Sequence, residues 1–134
     1  MNQPSPAERA RILIVDDEPG IREFVDRALS EAGYITATAA NGPDALRVAE
    51  GFGTFELLLT DVRMPAMDGD DLARRIRQRE PDVKVLYLTG YSDRLFREKR
   101  MLWDGEAFLD KPTNTKGLLE AVSLLLNDVH GPSD

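Results

Sequence analysis

Four strand ends in this chain finish in residues able to do chemistry. Asp16-Asp17 follow Arg11–Val15, Asp61 follows Leu57-Leu58-Leu59-Thr60, Thr89 follows Val83–Leu88, and Asp110-Lys111 follow Ala107–Leu109. Three carboxylates drawn into one pocket repel one another, and each raises the others' pKa unless a cation sits among them. Mg²⁺ relieves that repulsion: it takes oxygen ligands, keeps several waters and binds one or two carboxylates together with a phosphate. Mn²⁺ suits the same donors. Lys111 adds a fixed positive charge and Thr89 a hydroxyl, so metal, lysine and hydroxyl together form a clamp for a phosphoryl group. Asp61 is then placed to act as a nucleophile and become an acyl phosphate.

These residues make one site only if the chain brings the strand ends together. Arg11–Val15 is a continuous β-rich apolar run, the signature of a strand buried on both faces of a parallel sheet. Pro19 is tolerated in the first turn of a helix. Ile21, Phe24, Val25, Ala28, Leu29 and Ala32 then draw one helical stripe, with Gly33 beyond its end. Tyr34–Thr38 predicts a second strand. Asn41-Gly42-Pro43 opens a second helix with Leu46, Val48 and Ala49 as its apolar members, stopped by Gly51 and Gly53. Phe55–Thr60 predicts the third strand. A third helix turns Leu72, Ala73 and Ile76 inward and Arg74, Arg75, Arg77 and Arg79 outward, and Pro81 prevents its continuation. Val83–Leu88 is the fourth strand, and Ser92 caps a helix to about Leu102. Ala107–Leu109 is the fifth strand. Thr113 or Thr115 caps a last helix with Leu118, Leu119, Val122, Leu125, Leu126 and Val129 as its stripe.

Five βα units predict an α/β fold: a doubly wound five-stranded parallel sheet with five helices on its two faces. In the flavodoxin-like strand order 2-1-3-4-5, strands one and three are neighbours, and the strand-end residues converge on one rim. The 134 residues fit one domain, expected over 11–128, after a flexible N-terminal segment 1–10 and before a tail 129–134. Apolar residues are 42% and charged residues 31%, ordinary for a globular protein. Seventeen basic against twenty-four acidic residues leave −7, which argues against general nucleic-acid affinity. The absence of cysteine excludes a disulfide scaffold, a thiolate zinc site and a cysteine nucleophile. Met1–Arg11 has no apolar h-region, and no apolar run approaches a membrane span, so no membrane partner and a cytoplasmic location are expected.

The ordered set Asp16-Asp17, Asp61-Val-Arg-Met-Pro65 with Met67-Asp-Gly69, Thr89-Gly90 and Lys111-Pro112 resembles the receiver domain of two-component response regulators over about residues 11–128. That resemblance implies Asp61 as phosphoacceptor, and Asp16 and Asp17 as magnesium-site acids with Asp61 and the Arg63 main-chain carbonyl. It implies Thr89 and Lys111 as the phosphoryl-binding hydroxyl and lysine. Phe108, three residues before Lys111, matches the switch aromatic. The implied phosphodonor is a phosphohistidine on a sensor histidine kinase or a histidine phosphotransfer protein. The resemblance implies that output passes through the face built by the fourth helix, the fifth strand and the last helix to a downstream protein not identified by the sequence. The expected protein is a single-domain response regulator, monomeric or weakly dimeric. The alternatives are a receiver excised from a hybrid sensor kinase and a partner-binding pseudo-receiver that is never phosphorylated.

Blander readings stand beside these. Asp16 and Asp17 suit the positive end of the first helix, Asp61 and Pro65 suit a turn, Thr89 suits a strand, and Phe108 suits plain packing. His130 is a tail residue and no phosphodonor. Arg94, Arg97, Lys99 and Arg100 make a solvated face or a contact for an acidic partner. Trp103 and Leu124 leave room for a dimer. An aspartyl-phosphate phosphatase on a similar sheet needs a second acid two residues after its nucleophile; Arg63 stands there. A flavodoxin-like cofactor site needs a Gly/Ser/Thr-rich loop after strand one; Asp16-Asp17-Glu18 would repel the phosphate.

Overall fold

A computed structural model describes residues 10–90, 105–111 and 114–127. Along the chain lie β1 (Arg11–Val15), α1 (Pro19–Glu31), β2 (Ile35–Ala39), α2 (Gly42–Phe52), β3 (Leu57–Asp61), α3 (Gly69–Arg77), β4 (Lys84–Thr89), β5 (Glu106–Asp110) and α4 (Thr115–Leu126). The five strands form one sheet in the order β2-β1-β3-β4-β5, with every pair parallel. This is the doubly wound flavodoxin-like topology. The helix expected from Ser92 to Leu102 lies outside the described residues, as do Trp103, Pro112, Thr113 and the basic positions between Arg94 and Arg100. So do most of the expected N-terminal segment and the tail from residue 128.

The core explains why the strands lack alternation. Leu13, Val15, Leu58, Val85 and Tyr87 face one layer with Ala45, Ala49, Leu72, Ala73 and Ile76 of α2 and α3. Ile12, Ile14, Leu57, Leu59, Leu86 and Leu88 face the other, against Val25, Ala28 and Leu29 of α1 and Leu118, Val122 and Leu125 of α4. Both faces are therefore dry, and each fully buried Leu or Ile contributes ~1.5–3 kcal/mol of transfer free energy.

Local details depart from the expectations. Gly51 lies inside α2; Gly53, at φ +86°, ends it. The reason is that a glycine inside a helix is tolerated at modest cost, whereas a positive φ cannot continue one. The buried members of α2 are Gly42, Ala45 and Ala49, with Leu46 and Val48 half-buried. The last helix is capped by Asn114, whose side chain accepts the Gly117 N–H at 2.7 Å, so Thr115 is the first helical residue and not the cap. Strands β2 to β5 run to Ala39, Asp61, Thr89 and Asp110, one residue past each expected end. Parallel pairing explains the extension, because Asp61 pairs with Leu88 and Thr89 with Asp110. Arg77 does not simply point outward; it forms an ion pair with Glu106, whose side chain is fully buried at the start of β5. A buried carboxylate needs such a partner. Leu124 is 74% exposed on α4.

Candidate functional site

Pairing of β1 with both β2 and β3 places the carboxyl ends of β1 and β3 side by side. Asp16 leaves β1 buried, with its main-chain N–H donating to the Ala39 carbonyl at 3.2 Å. Its Oδ1 accepts the Glu18 N–H at 2.9 Å, and Arg22 Nη1 donates to its main-chain carbonyl at 2.7 Å. Asp16 therefore orders the turn into α1 from outside the helix; Glu18 is the N-cap, and makes no side-chain cap bond. Asp61 ends β3, with its Oδ1 accepting the Val62 N–H at 3.1 Å. The carboxylates of Asp16, Asp17 and Asp61 each offer an oxygen within 4.8 Å of the others.

Lys111 reaches into this cluster from the end of β5. Its Nζ donates to Asp61 Oδ1 at 3.0 Å, and it stands 3.2 Å from Asp16 Oδ2 and 3.4 Å from Glu18 Oε1. Asp16 Oδ2 is buried and, apart from this ion pair with Lys111, receives no hydrogen bond. A buried carboxylate oxygen held by one ion pair still has acceptor capacity to spare. Set against two further carboxylate oxygens, it fits a hard divalent cation with oxygen ligands.

The charges shift one another. Burial, then the negative charge of Asp16, push the Asp61 carboxyl up to about 7, against the pull of Lys111. Burial also raises Asp16, partly offset by the Glu18 N–H and by Lys111. For Lys111 burial acts to lower the pKa, but the Asp61 hydrogen bond and the charges of Asp16 and Asp61 outweigh it and hold the ammonium above its ordinary range. One ammonium thus serves several acids, and the site keeps surplus negative charge.

The loop between β3 and α3 holds Asp61 in place. Gly69 N–H donates back to the Val62 carbonyl at 2.7 Å, closing the loop at its base. Inside it, Met67 N–H donates to the Pro65 carbonyl at 2.8 Å around Ala66, which has φ +74°. That is the rare, strained form of the three-residue turn. It packs Met67 against Gly42 at the start of α2, where a Cβ would lie 2.7 Å from Met67 Cβ. Ala66→Gly is expected to raise stability by about 0.5–1 kcal/mol, the left-handed penalty of alanine less the extra chain entropy of glycine. Urea unfolding checks this; a loss of stability would show that the Ala66 methyl makes a compensating contact.

Of the sequence-predicted residues, Asp16, Asp17, Asp61 and Lys111 come together. Arg63 is exposed, two residues past Asp61. Thr89 is buried at the end of β4, and its Oγ1 donates not to Asp61 but to Asp110 Oδ1 at 3.0 Å. Phe108 is half-buried, its ring centroid 5.8 Å from that of Tyr87. By strand alternation Tyr87, Thr89, Phe108 and Asp110 share one sheet face. Glu18 escaped the sequence reading as a member of the site, and Asp110 was named at its strand end without a partner, because adjacency in sequence does not tell which way a carboxylate turns.

The family model for the response regulator receiver domain matches residues 12–123. The chain is 36% identical over 118 residues to sensor kinase CckA of Brucella abortus, covering 87% of this chain but 12% of that kinase. It is 35% identical to the response regulator receiver protein CpdR of the same organism, covering 87% of this chain and 96% of CpdR. Among solved structures, the receiver domain of hybrid histidine kinase CckA superposes with TM-score 0.74 at 35% identity, covering 87% of this chain and 99% of that one. Chemotaxis response regulator CheY4 of Vibrio cholerae superposes with TM-score 0.75 at 30% identity, covering 87% and 98%. No helix among the described residues is long and apolar enough to cross a membrane. With the five-stranded order and the rim of acids and lysine, these matches make the chain a member of the response regulator receiver domain family.

Proposed function

We propose that this chain, over residues 11–128, is a phosphorylatable switch of a two-component phosphorelay, with Asp61 as phosphoacceptor. The observation that carries the reading is Lys111 Nζ at 3.0 Å from Asp61 Oδ1 and 3.2 Å from the buried Asp16 Oδ2. An Asp61 oxygen attacks the phosphorus of a phosphohistidine, the P–N bond breaks, and the imidazole leaves with its electron pair and takes a proton from solvent. Asp16, Asp17 and Asp61, with the Arg63 main-chain carbonyl, would hold Mg²⁺ or Mn²⁺. The ion, when bound, neutralises charge on the phosphoryl oxygens. Lys111 pairs with one of those oxygens, and the Thr89 hydroxyl turns to another. Phe108 moves into the space behind Thr89 and reshapes the surface around β5. The donor is a sensor histidine kinase or a histidine phosphotransfer protein, the output a protein partner and not nucleic acid, and the setting the cytoplasm. The switch assists its own phosphorylation and dephosphorylation but turns over no separate substrate.

Incubation with Mg²⁺ and acetyl phosphate, followed by intact mass, tests this. A single Mg²⁺-dependent phosphoryl adduct is expected in the wild type and none in Asp61→Asn. An unmodified wild type would favour a receiver that only binds partners.

A further inference from the structure

Thr89 and Asp110 are register partners at the carboxyl ends of β4 and β5. Partners in a parallel pair project to the same face. The Lys111 N–H donates to the Thr89 carbonyl at 2.8 Å and locks that register. Thr89 Oγ1 then donates to Asp110 Oδ1 at 3.0 Å. Thr89 is 1% exposed, so water does not compete freely for its hydroxyl, while Asp110 is exposed on its outer side. A hydroxyl has one proton. It cannot donate fully to Asp110 and to a phosphoryl oxygen on Asp61 at once. A bond to a carboxylate is charge-assisted, and so stronger than one to a neutral acceptor.

We infer that Asp110 is a positioning residue that holds the Thr89 hydroxyl sideways in the unphosphorylated protein and opposes its turn toward the phosphoryl group. This rests on the proposed phosphoryl-binding role of Thr89. Two acceptors compete for one donor: the carboxylate beside Lys111 and the group that Lys111 itself helps to bind. The arrangement makes the resting state depend on a residue outside the cluster of acids. The apparent Kd for a phosphoryl analogue is raised by the reciprocal of the fraction of molecules whose hydroxyl is free to turn. For one partly exposed charge-assisted hydrogen bond the effect amounts to about five-fold.

The test is calorimetric titration with beryllofluoride at saturating Mg²⁺. The proteins are wild type, Asp110→Ala, Asp110→Asn, Thr89→Ala and the double variant Thr89→Ala/Asp110→Ala. Asp110→Ala is expected to tighten beryllofluoride about five-fold, with Mg²⁺ affinity measured alone unchanged. Asp110→Asn keeps an acceptor for Thr89 and is expected to stay nearer the wild type. In the Thr89→Ala background the alanine at 110 is expected to have little effect. Equal tightening in both backgrounds would mean that Asp110 acts through charge alone, and would overturn the inference. Weakening by Thr89→Ala with no change in Asp110→Ala would overturn it too, while leaving the role of Thr89 intact. No effect of Thr89→Ala would remove that role and the inference together. A wild type that binds no beryllofluoride would fail the proposed function itself.

Discussion

Gly69→Ala is expected to lower stability by about 3 kcal/mol, near the upper end of the cost of overpacking. In a chain of this size that corresponds to a fall in Tm of about 10 °C. A Cβ on Gly69 would lie 2.2 Å from the Asp61 carbonyl oxygen and 3.2 Å from Thr60 Cγ2. The obstructing atom is backbone at the carboxyl end of β3, where Asp61 is paired with Leu88 of β4. It cannot yield without breaking the ladder or the Gly69–Val62 hydrogen bond that closes the loop. Whatever moves also moves Asp61 relative to Lys111. Phosphorylation by acetyl phosphate, measured well below the new Tm, is therefore expected to fall by more than ten-fold, about 1.4 kcal/mol of transition-state free energy. The controls lie in the helices: Cβ atoms at Gly20 and Gly51 meet nothing within 4 Å. Alanine there is expected to be neutral or stabilising by about 0.5–1 kcal/mol. Equal melting of Gly69→Ala and wild type would show that the loop yields freely and that Gly69 does not hold the phosphoacceptor.

The second large effect concerns pH. In the metal-free protein the Asp61 carboxyl is raised from 3.8 to about 7, by burial first and then by Asp16. An acid whose folded pKa lies above its unfolded pKa binds its proton more tightly when folded. Its contribution to stability is full below the unfolded value and is lost as pH rises through the folded one. Between pH 4 and 8 in EDTA, the wild type is thus expected to lose about 2 kcal/mol relative to Asp61→Asn, allowing for the coupling with Asp16. The profile of the variant subtracts every other titration. At pH 8 the variant should be the more stable protein. Mg²⁺ opposes this, since it binds the ionised cluster: at a hundred times its Kd it adds about 2.7 kcal/mol to the wild type, enough to reverse the order. At pH 5 protons compete for the same oxygens and the Mg²⁺ effect should shrink. Urea unfolding of both proteins, with and without Mg²⁺, reads all of this. Parallel pH profiles in EDTA would show that Asp61 carries no excess proton affinity in the fold.

Both effects come from residues the sequence marks out, but their sizes come from distances it does not contain. The run Arg11–Val15 was legible to the residue, because a strand buried on both faces needs an unbroken apolar run and its end is marked by charge. The stripe of α1, the inward set Leu72, Ala73 and Ile76, and the convergence of Asp16, Asp17, Asp61 and Lys111 were legible for related reasons. Helical and strand periods are local, and the parallel order leaves one rim for strand-end residues. What depended on tertiary structure was pairing between distant side chains. Whether Arg77 turns to solvent or to Glu106, and whether Glu18 joins Lys111, depends on how elements far apart in sequence are placed. The Thr89–Asp110 bond follows from a register that the backbone of two strands sets together. The amino-acid sequence by itself determined the strands and helices of the described residues and the convergence of Asp16, Asp17, Asp61 and Lys111 at their ends. Only the folded backbone decided which acceptor each donor finds, because a hydrogen bond requires a position within a few tenths of an ångström, and periodicity places a residue no closer than its face.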